Sequence, residues 1–161
     1  MNIYTTIDSP LGELLLAGDG VALTRVSFDV GATAGWRREP LAFAAAERQF
    51  GEYFAGERTS FDLPVRSPGT EFQERVWEAV AAVPYGTTTT YGELAARAGA
   101  PRDRIRAVGA AVGANPLLIV RPCHRVVGAD GGLTGYAGGV ERKRDLLTLE
   151  GALQPHLWSV S

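Results

Sequence analysis

Cys123 is the only cysteine of the 161-residue chain, and it stands between Pro122 and His124, the first of two histidines. A lone cysteine excludes an intramolecular disulfide, which leaves a small buried hydrophobe or a nucleophile as its role. The neighbours favour the nucleophile. Arg121 and Arg125 flank the Cys-His pair, and positive surroundings favour the thiolate, the reactive form. A metal site is poorly supported, because Cys123, His124 and His156 have no zinc-type spacing. A cysteine-protease dyad is poor too: such enzymes take their histidine from a distant stretch, and the only distant one, His156, lies in the C-terminal tail.

Charge marks out the region around that cysteine. The net charge is −2, but residues 1–68 carry six Arg against nine Asp/Glu, while residues 69–161 carry ten Arg/Lys against nine. Within 97–125 stand Arg97, Arg102, Arg104, Arg106, Arg121 and Arg125 against Asp103 alone. That is a basic patch on a nearly neutral protein. Lys143 is the one lysine among sixteen cations, and GC-rich coding is the simplest cause, although the planar Arg fork also suits phosphate and base edges.

Composition sets the frame for the elements that must hold these groups. With 45% hydrophobic and 21% charged residues, the chain suffices for one ordinary domain or two small ones. No apolar run approaches the roughly 18 residues of a membrane span. The opening Met1 to Asp8 has neither a basic stretch nor a long apolar one, so no signal peptide is expected and a cytoplasmic location follows by default.

The N-terminal third reads as strands at Met1–Ile7, Gly12–Ala17 and Val21–Val30, parted by turns at Ser9-Pro10-Leu11-Gly12 and Gly18-Asp19-Gly20. Leu41–Phe54 places Phe43, Ala46, Phe50, Tyr53 and Phe54 at helical spacing up to Gly56, predicting a helix over one sheet face. Phe61–Val65 reads as a last strand and Arg66–Gly69 as a linker. Helices then follow at Thr70–Val83, Tyr91–Ala98 and Pro101–Ala114. The last two, joined through Gly99 with the second rich in Arg, fit a helix-turn-helix as well as a plain αα-hairpin with a solvated charged face. Leu117–Val120 is strand-like, 128–139 is a glycine-rich loop, and Arg142–Leu149 is helical.

Longer strings single out one family. Arg106-Ala107-Val108-Gly109, Asn115-Pro116, Pro122-Cys123-His124-Arg125-Val126-Val127, Gly135-Tyr136-Ala137-Gly138-Gly139, Leu146-Leu147 and Glu150 together resemble the O6-alkylguanine-DNA alkyltransferases. Val83-Pro84-Tyr85-Gly86 and Tyr91-Gly92-Glu93-Leu94-Ala95 are similar to them as well. The resemblance is strong over 70–151 and compatible over 1–69. It implies an α/β protein with a ribonuclease-H-like sheet-and-helix domain at 1–66, a linker at 67–69 and a winged helix-turn-helix domain at 70–161.

The implied activity is direct reversal of O6-alkylguanine, and less efficiently of O4-alkylthymine, in duplex DNA. The lesion base is flipped out, and cysteine takes its alkyl group irreversibly, one lesion per molecule. By resemblance Cys123 is the acceptor, His124 its base acting through a water, and Glu150 the group that orients the imidazole. Asn115 braces the turn below them, and Tyr91 donates a proton as the guanine leaves. Arg106 enters the stack in place of the extruded base. Arg102, Arg104, Ala107, Gly109 and Arg125 are the further expected DNA contacts. Val126, Tyr136, Ala137 and Gly138 wall the base pocket together with Tyr91, with the Val126 carbonyl and the Ala137 amide at the guanine edge.

The resemblance implies no cofactor and no membrane, and the extra Cys and His that give some members of the family a structural zinc are absent from this sequence, so no metal is expected. The expected partner is the minor groove of double-stranded DNA, met by a protein that is monomeric in solution; whether it assembles cooperatively on DNA is left open by the sequence. The sequence departs from the family at Arg121, where an apolar residue is usual, at Ile105, where a small one is, and in one extra residue between Pro101 and Arg106. The two rival readings are a non-catalytic alkyltransferase-like lesion binder, which lacks the acceptor cysteine, and a cysteine hydrolase, which turns over without DNA.

Overall fold

In the computed structural model, residues 2–31 and 33–153 are described, Arg102 by its backbone alone. Strand β1 (Ile3–Ile7) turns Ile3, Thr5 and Ile7 inward at the two-residue period of a half-buried strand. It pairs antiparallel with β2 (Leu14–Gly18), which pairs antiparallel with β3 (Leu23–Ser27). A two-residue β4 (Arg37–Arg38) joins the other edge of β1 in parallel, so the order is β3-β2-β1-β4. Every residue of β2 is buried, as expected of a central strand covered on both faces.

A 3-10 turn at Pro40–Phe43 leads into α1 (Ala44–Phe54), which buries Ala46, Gln49, Phe50 and Tyr53. The expected strand at Phe61–Val65 is not a regular strand. Gln49 clamps it through both amide atoms to Asp62, and Val65 makes a single bridge to Leu23. Pro64 accepts a bond from Leu23 but has no N–H to donate, which limits the ladder. Leu117–Val120 departs in the same way, bridging Val26 at Leu117 alone behind Pro116.

Beyond the linker, α2 (Glu71–Ala81) opens with a capping box between Thr70 and Gln73. A second box, between Thr90 and Glu93, opens α3 (Tyr91–Arg97), and α4 (Ile105–Gly113) follows a 3-10 turn at 102–104. α2 packs across α4, with Trp77 Nε1 donating to the Ala111 carbonyl at 2.8 Å. The short strands β5 (Thr89–Thr90) and β6 (Val126–Val127) pair in parallel and so bring the start of α3 beside the Pro122–Arg125 segment. Helix α5 (Val140–Leu149) begins two residues before the expected start, directly after Gly139, whose φ of 93° an L side chain rarely adopts. One apolar cluster runs through both halves, from Ile3, Leu16 and Phe50 to Val108, Leu117 and Leu146. No helix among the described residues is long and apolar enough to cross a membrane.

Candidate active site

The segment carrying Cys123 is bent by two successive tight turns. Ile119 has φ of 71° and sits at the centre of a bond from Val120 N to the Leu118 carbonyl, a strained conformation for a β-branched residue. Pro122, at φ −79° and ψ 62°, is then spanned by a 2.7 Å bond from Cys123 N to the Arg121 carbonyl. Asn115 holds the bend in place. Its amide nitrogen donates to the Arg121 carbonyl at 2.9 Å, and its Oδ1 accepts from Leu117 N at 3.0 Å and from Arg121 at 3.3 Å. Strain of this kind persists only where its surroundings over-determine it.

Cys123 is buried, and burial pushes its thiol up to about 11, against the pull of the Asn115 amide, Lys143 and Arg121. The nearby cations do act towards the thiolate, as expected, but desolvation outweighs them. His124 is fully buried, and burial pushes its imidazole down, towards the neutral form. Its Nε2 lies 2.8 Å from Glu150 Oε2. Burial pushes the Glu150 carboxyl up, but hydrogen bonds from His124, Arg125 and Tyr53 overcome this and hold it at about 2. An ionised carboxylate only accepts, so the imidazole proton is on Nε2, and Nδ1 is left as a basic lone pair. Among the described residues Nδ1 has no hydrogen-bond partner.

Arg125 does not belong to a DNA-facing surface. Its Nε donates to Glu150 Oε1 at 2.7 Å, NH2 to Oε2 at 3.0 Å and NH1 to the Val83 carbonyl at 2.7 Å, all buried. A buried guanidinium needs a counter-ion and full hydrogen bonding, and Glu150 supplies most of both. Arg121 is likewise drawn inward, over the Trp77 ring at 4.6 Å and onto Ser67 Oγ at 2.8 Å. The basic surface is left to the helix pair. Arg104 and Arg106 are exposed there, with Arg104 5.1 Å from the Phe72 ring centre. Ala107 and Gly109 are half-buried on α4, and Gly109 faces the Tyr91 ring.

The pocket residues gather around the same segment. The Tyr91 hydroxyl shares a 3.1 Å hydrogen bond with Thr134 of the glycine-rich loop. Tyr136 sets its ring edge-on to His124 at 6.4 Å, and its buried hydroxyl has no partner among the described residues. A Cβ at Gly138 would lie 2.7 Å from that ring and 2.8 Å from Phe28, so only glycine fits there, while Ala137 is exposed. Sequence reasoning missed Lys143. Fully buried on α5, it donates from Nζ to the Val126 carbonyl at 2.5 Å and to the Thr134 carbonyl at 3.2 Å. Its only sequence signal was being the sole lysine. His156 lies outside the described residues. Among the described residues no three His, Cys, Asp or Glu side chains are grouped to hold a metal ion.

A helix-turn-helix body with a buried cysteine beside an imidazole–carboxylate pair defines a class of proteins in which cysteine accepts a group. The family model for the DNA-binding domain of 6-O-methylguanine DNA methyltransferase matches residues 71–152, and that for its ribonuclease-like domain matches residues 2–67. The chain belongs to this family. A methylated-DNA–protein-cysteine methyltransferase of Mycolicibacterium paratuberculosis is 52% identical to it over 152 residues, 91% of each chain. The crystal structure of the Mycobacterium tuberculosis O6-methylguanine methyltransferase matches with a TM-score of 0.89 at 48% identity, over 99% of each chain. A structure of OGT from the same organism in complex with DNA matches at 0.88 and 51% identity, over 93% of each.

Proposed function

We propose that the chain repairs O6-alkylguanine in duplex DNA by moving the alkyl group irreversibly to Cys123, once per molecule, and O4-alkylthymine less efficiently. The observation that carries this is the buried line from Cys123 through His124 to Glu150, in a member of this family. Burial keeps the thiol protonated at neutral pH, which fits a deprotonation that accompanies substrate engagement. His124 Nδ1 takes the thiol proton through a water, and the carboxylate of Glu150 stabilises the imidazolium. The Sγ–carbon bond forms as the carbon–O6 bond breaks, and the Tyr91 hydroxyl protonates the departing guanine. No cofactor enters this balance.

The reaction needs the base out of the stack. Arg106, exposed at the start of α4, fills the space left behind, and Arg102 and Arg104 meet phosphates along the minor groove. Ala107 and Gly109 allow the backbone of the duplex to approach. Tyr136, Ala137 and Gly138 wall the pocket, and the Val126 carbonyl, with one lone pair taken by Lys143, offers the other to the guanine edge. The family-model limits at residues 67 and 71 support a division into an N-terminal domain over 1–66, a linker at 67–69 and a DNA-binding domain over 70–161. On this reading the protein works in the cytoplasm and meets the DNA as a monomer.

The test is to incubate the protein with a duplex containing O6-methylguanine and weigh it intact. One added methyl that maps to Cys123 and stops at one equivalent is expected. Tight binding without a mass change would leave a lesion binder instead.

A further inference from the structure

Glu150 lies where the two halves of the chain meet. Its Oε2 accepts three hydrogen bonds: from His124 Nε2 at 2.8 Å, from Arg125 NH2 at 3.0 Å and from the Tyr53 hydroxyl at 2.6 Å. Tyr53 belongs to α1, 97 residues away in sequence and in the N-terminal half. Its ring is held by Phe54 at 5.2 Å, Phe61 at 5.4 Å and Tyr85 at 6.4 Å. A phenylalanine would satisfy all of that packing. The hydroxyl, fully buried, has Glu150 as its hydrogen-bond partner, and a phenol this close to a carboxylate forms a strong, charge-assisted bond.

We propose that Tyr53 is a positioning residue of the transfer reaction: by sharing Glu150 Oε2 with His124 it tempers the carboxylate's pull on the imidazole, so the N-terminal domain sets base strength at Cys123. The inference rests on His124 being the base of the reaction above. Without the Tyr53 bond the carboxylate, still paired with Arg125, would hold the imidazolium more tightly, and a base more often protonated at rest takes the thiol proton less readily.

The charged and titratable groups around the imidazole come from several elements. Lys143 lies on α5 and Glu150 caps its C-terminal end, Cys123 and Arg125 flank His124 in its own segment, and Tyr136 sets its ring edge-on from the loop, while Tyr53 from α1 and Tyr85 from the turn after α2 act on Glu150 and Arg125 behind it. Arg125 and Lys143 oppose the imidazolium as positive charges. Tyr53 acts differently, as a neutral donor on the very oxygen that His124 uses.

Tyr53→Phe keeps the ring and removes only the donor. Two quantities are measured in the full-length protein: the titration of the His124 imidazole by NMR, and the pH dependence of Cys123 alkylation by free O6-benzylguanine. Both the titration and the acid limb of the rate profile are expected to move up by about half a pH unit, an approximately threefold slower rate on that limb. Tyr85→Phe, which removes a nearby hydroxyl not bonded to Glu150, is expected to move neither. Incorporating 3-fluorotyrosine at position 53 strengthens the donor and is expected to move both down, which keeps the test valid should Tyr53→Phe not fold. A titration and limb that stay in place, whatever the rate or Tm does, would overturn the proposal. If the wild-type protein takes no alkyl group at all, the proposed reaction fails, and the NMR titration still decides the coupling of Tyr53 to His124.

Discussion

At Cys123 burial and charge act in opposite directions, and burial prevails. Lys143 is the cation that remains committed to this segment, since Arg125 is spent on Glu150 and Arg121 on Ser67, Asn115 and Trp77. Its ammonium also ties the Val126 carbonyl to the loop at Thr134. Two outcomes follow from this arrangement. Carbamidomethylation of Cys123 in the folded protein is expected to accelerate about tenfold per pH unit through pH 9 and to level off only near 11, as read by intact mass. Lys143→Met, of similar length, strips the buried Val126 carbonyl and the part-buried Thr134 carbonyl of their donor and is expected to cost about 1–3 kcal/mol in urea unfolding, with the levelling-off moved higher still. A variant that levels off at or below the wild-type value would remove Lys143 from this role.

Among the elements, α4 is the one we propose to carry the part of the function that needs DNA. Arg106 is exposed one residue into that helix, and Gly109 on the same face looks at Tyr91, so the arginine and the pocket share a wall. If Arg106 compensates for unstacking, its loss matters only where there is a stack. Arg106→Ala is expected to slow transfer from an O6-methylguanine duplex by about tenfold or more, the worth of roughly 1.4 kcal/mol of a few-kcal/mol unstacking cost. Transfer from free O6-benzylguanine should stay within about twofold of wild type. Equal losses on both substrates would assign Arg106 to folding or chemistry rather than to flipping.

The helices of this half were legible in the sequence because Val76 and Val80 recur at helical spacing behind the capping residue Thr70, and Val108 and Val112 recur at the same spacing without one. β1 to β3 were legible for the equivalent reason. β4 was not, since two arginines cannot display an alternation, and Pro64 and Pro116 turned two expected strands into single bridges. Within the site the Pro-Cys-His-Arg string marked the cysteine and its neighbours. The burial of Arg125 and Lys143 was hidden, because charged residues default to the surface and their partners lie 25 and 17 residues away, and so was the bond from the Tyr53 hydroxyl to Glu150, 97 residues on.

For the molecule as a whole, Glu150 makes stability and reactivity two readings of one network. Its carboxyl is held at about 2 against an ordinary 4.5, so its stabilisation is fully present above the ordinary value and is lost as pH falls through about 2. The depressed value corresponds to about 3 kcal/mol. His124, pushed down by burial, acts in the same sense, since its neutral form is favoured above its usual range and must be charged as the pH falls. Because Tyr53 reaches Glu150 and Leu117 bridges Val26, both halves depend on this network and on one continuous core. Urea unfolding followed by far-UV CD is therefore expected to give one transition at pH 7, with stability declining steadily from about pH 6 towards pH 3. Glu150→Gln leaves Arg125 buried without its counter-ion and is expected to cost about 3–5 kcal/mol at pH 7. It should also flatten the part of the acid decline below about pH 4.5 that Glu150 contributes, leaving the part due to His124. Two separate transitions would show that the halves fold independently, and an unchanged acid slope in the variant would place the responsible carboxylate elsewhere.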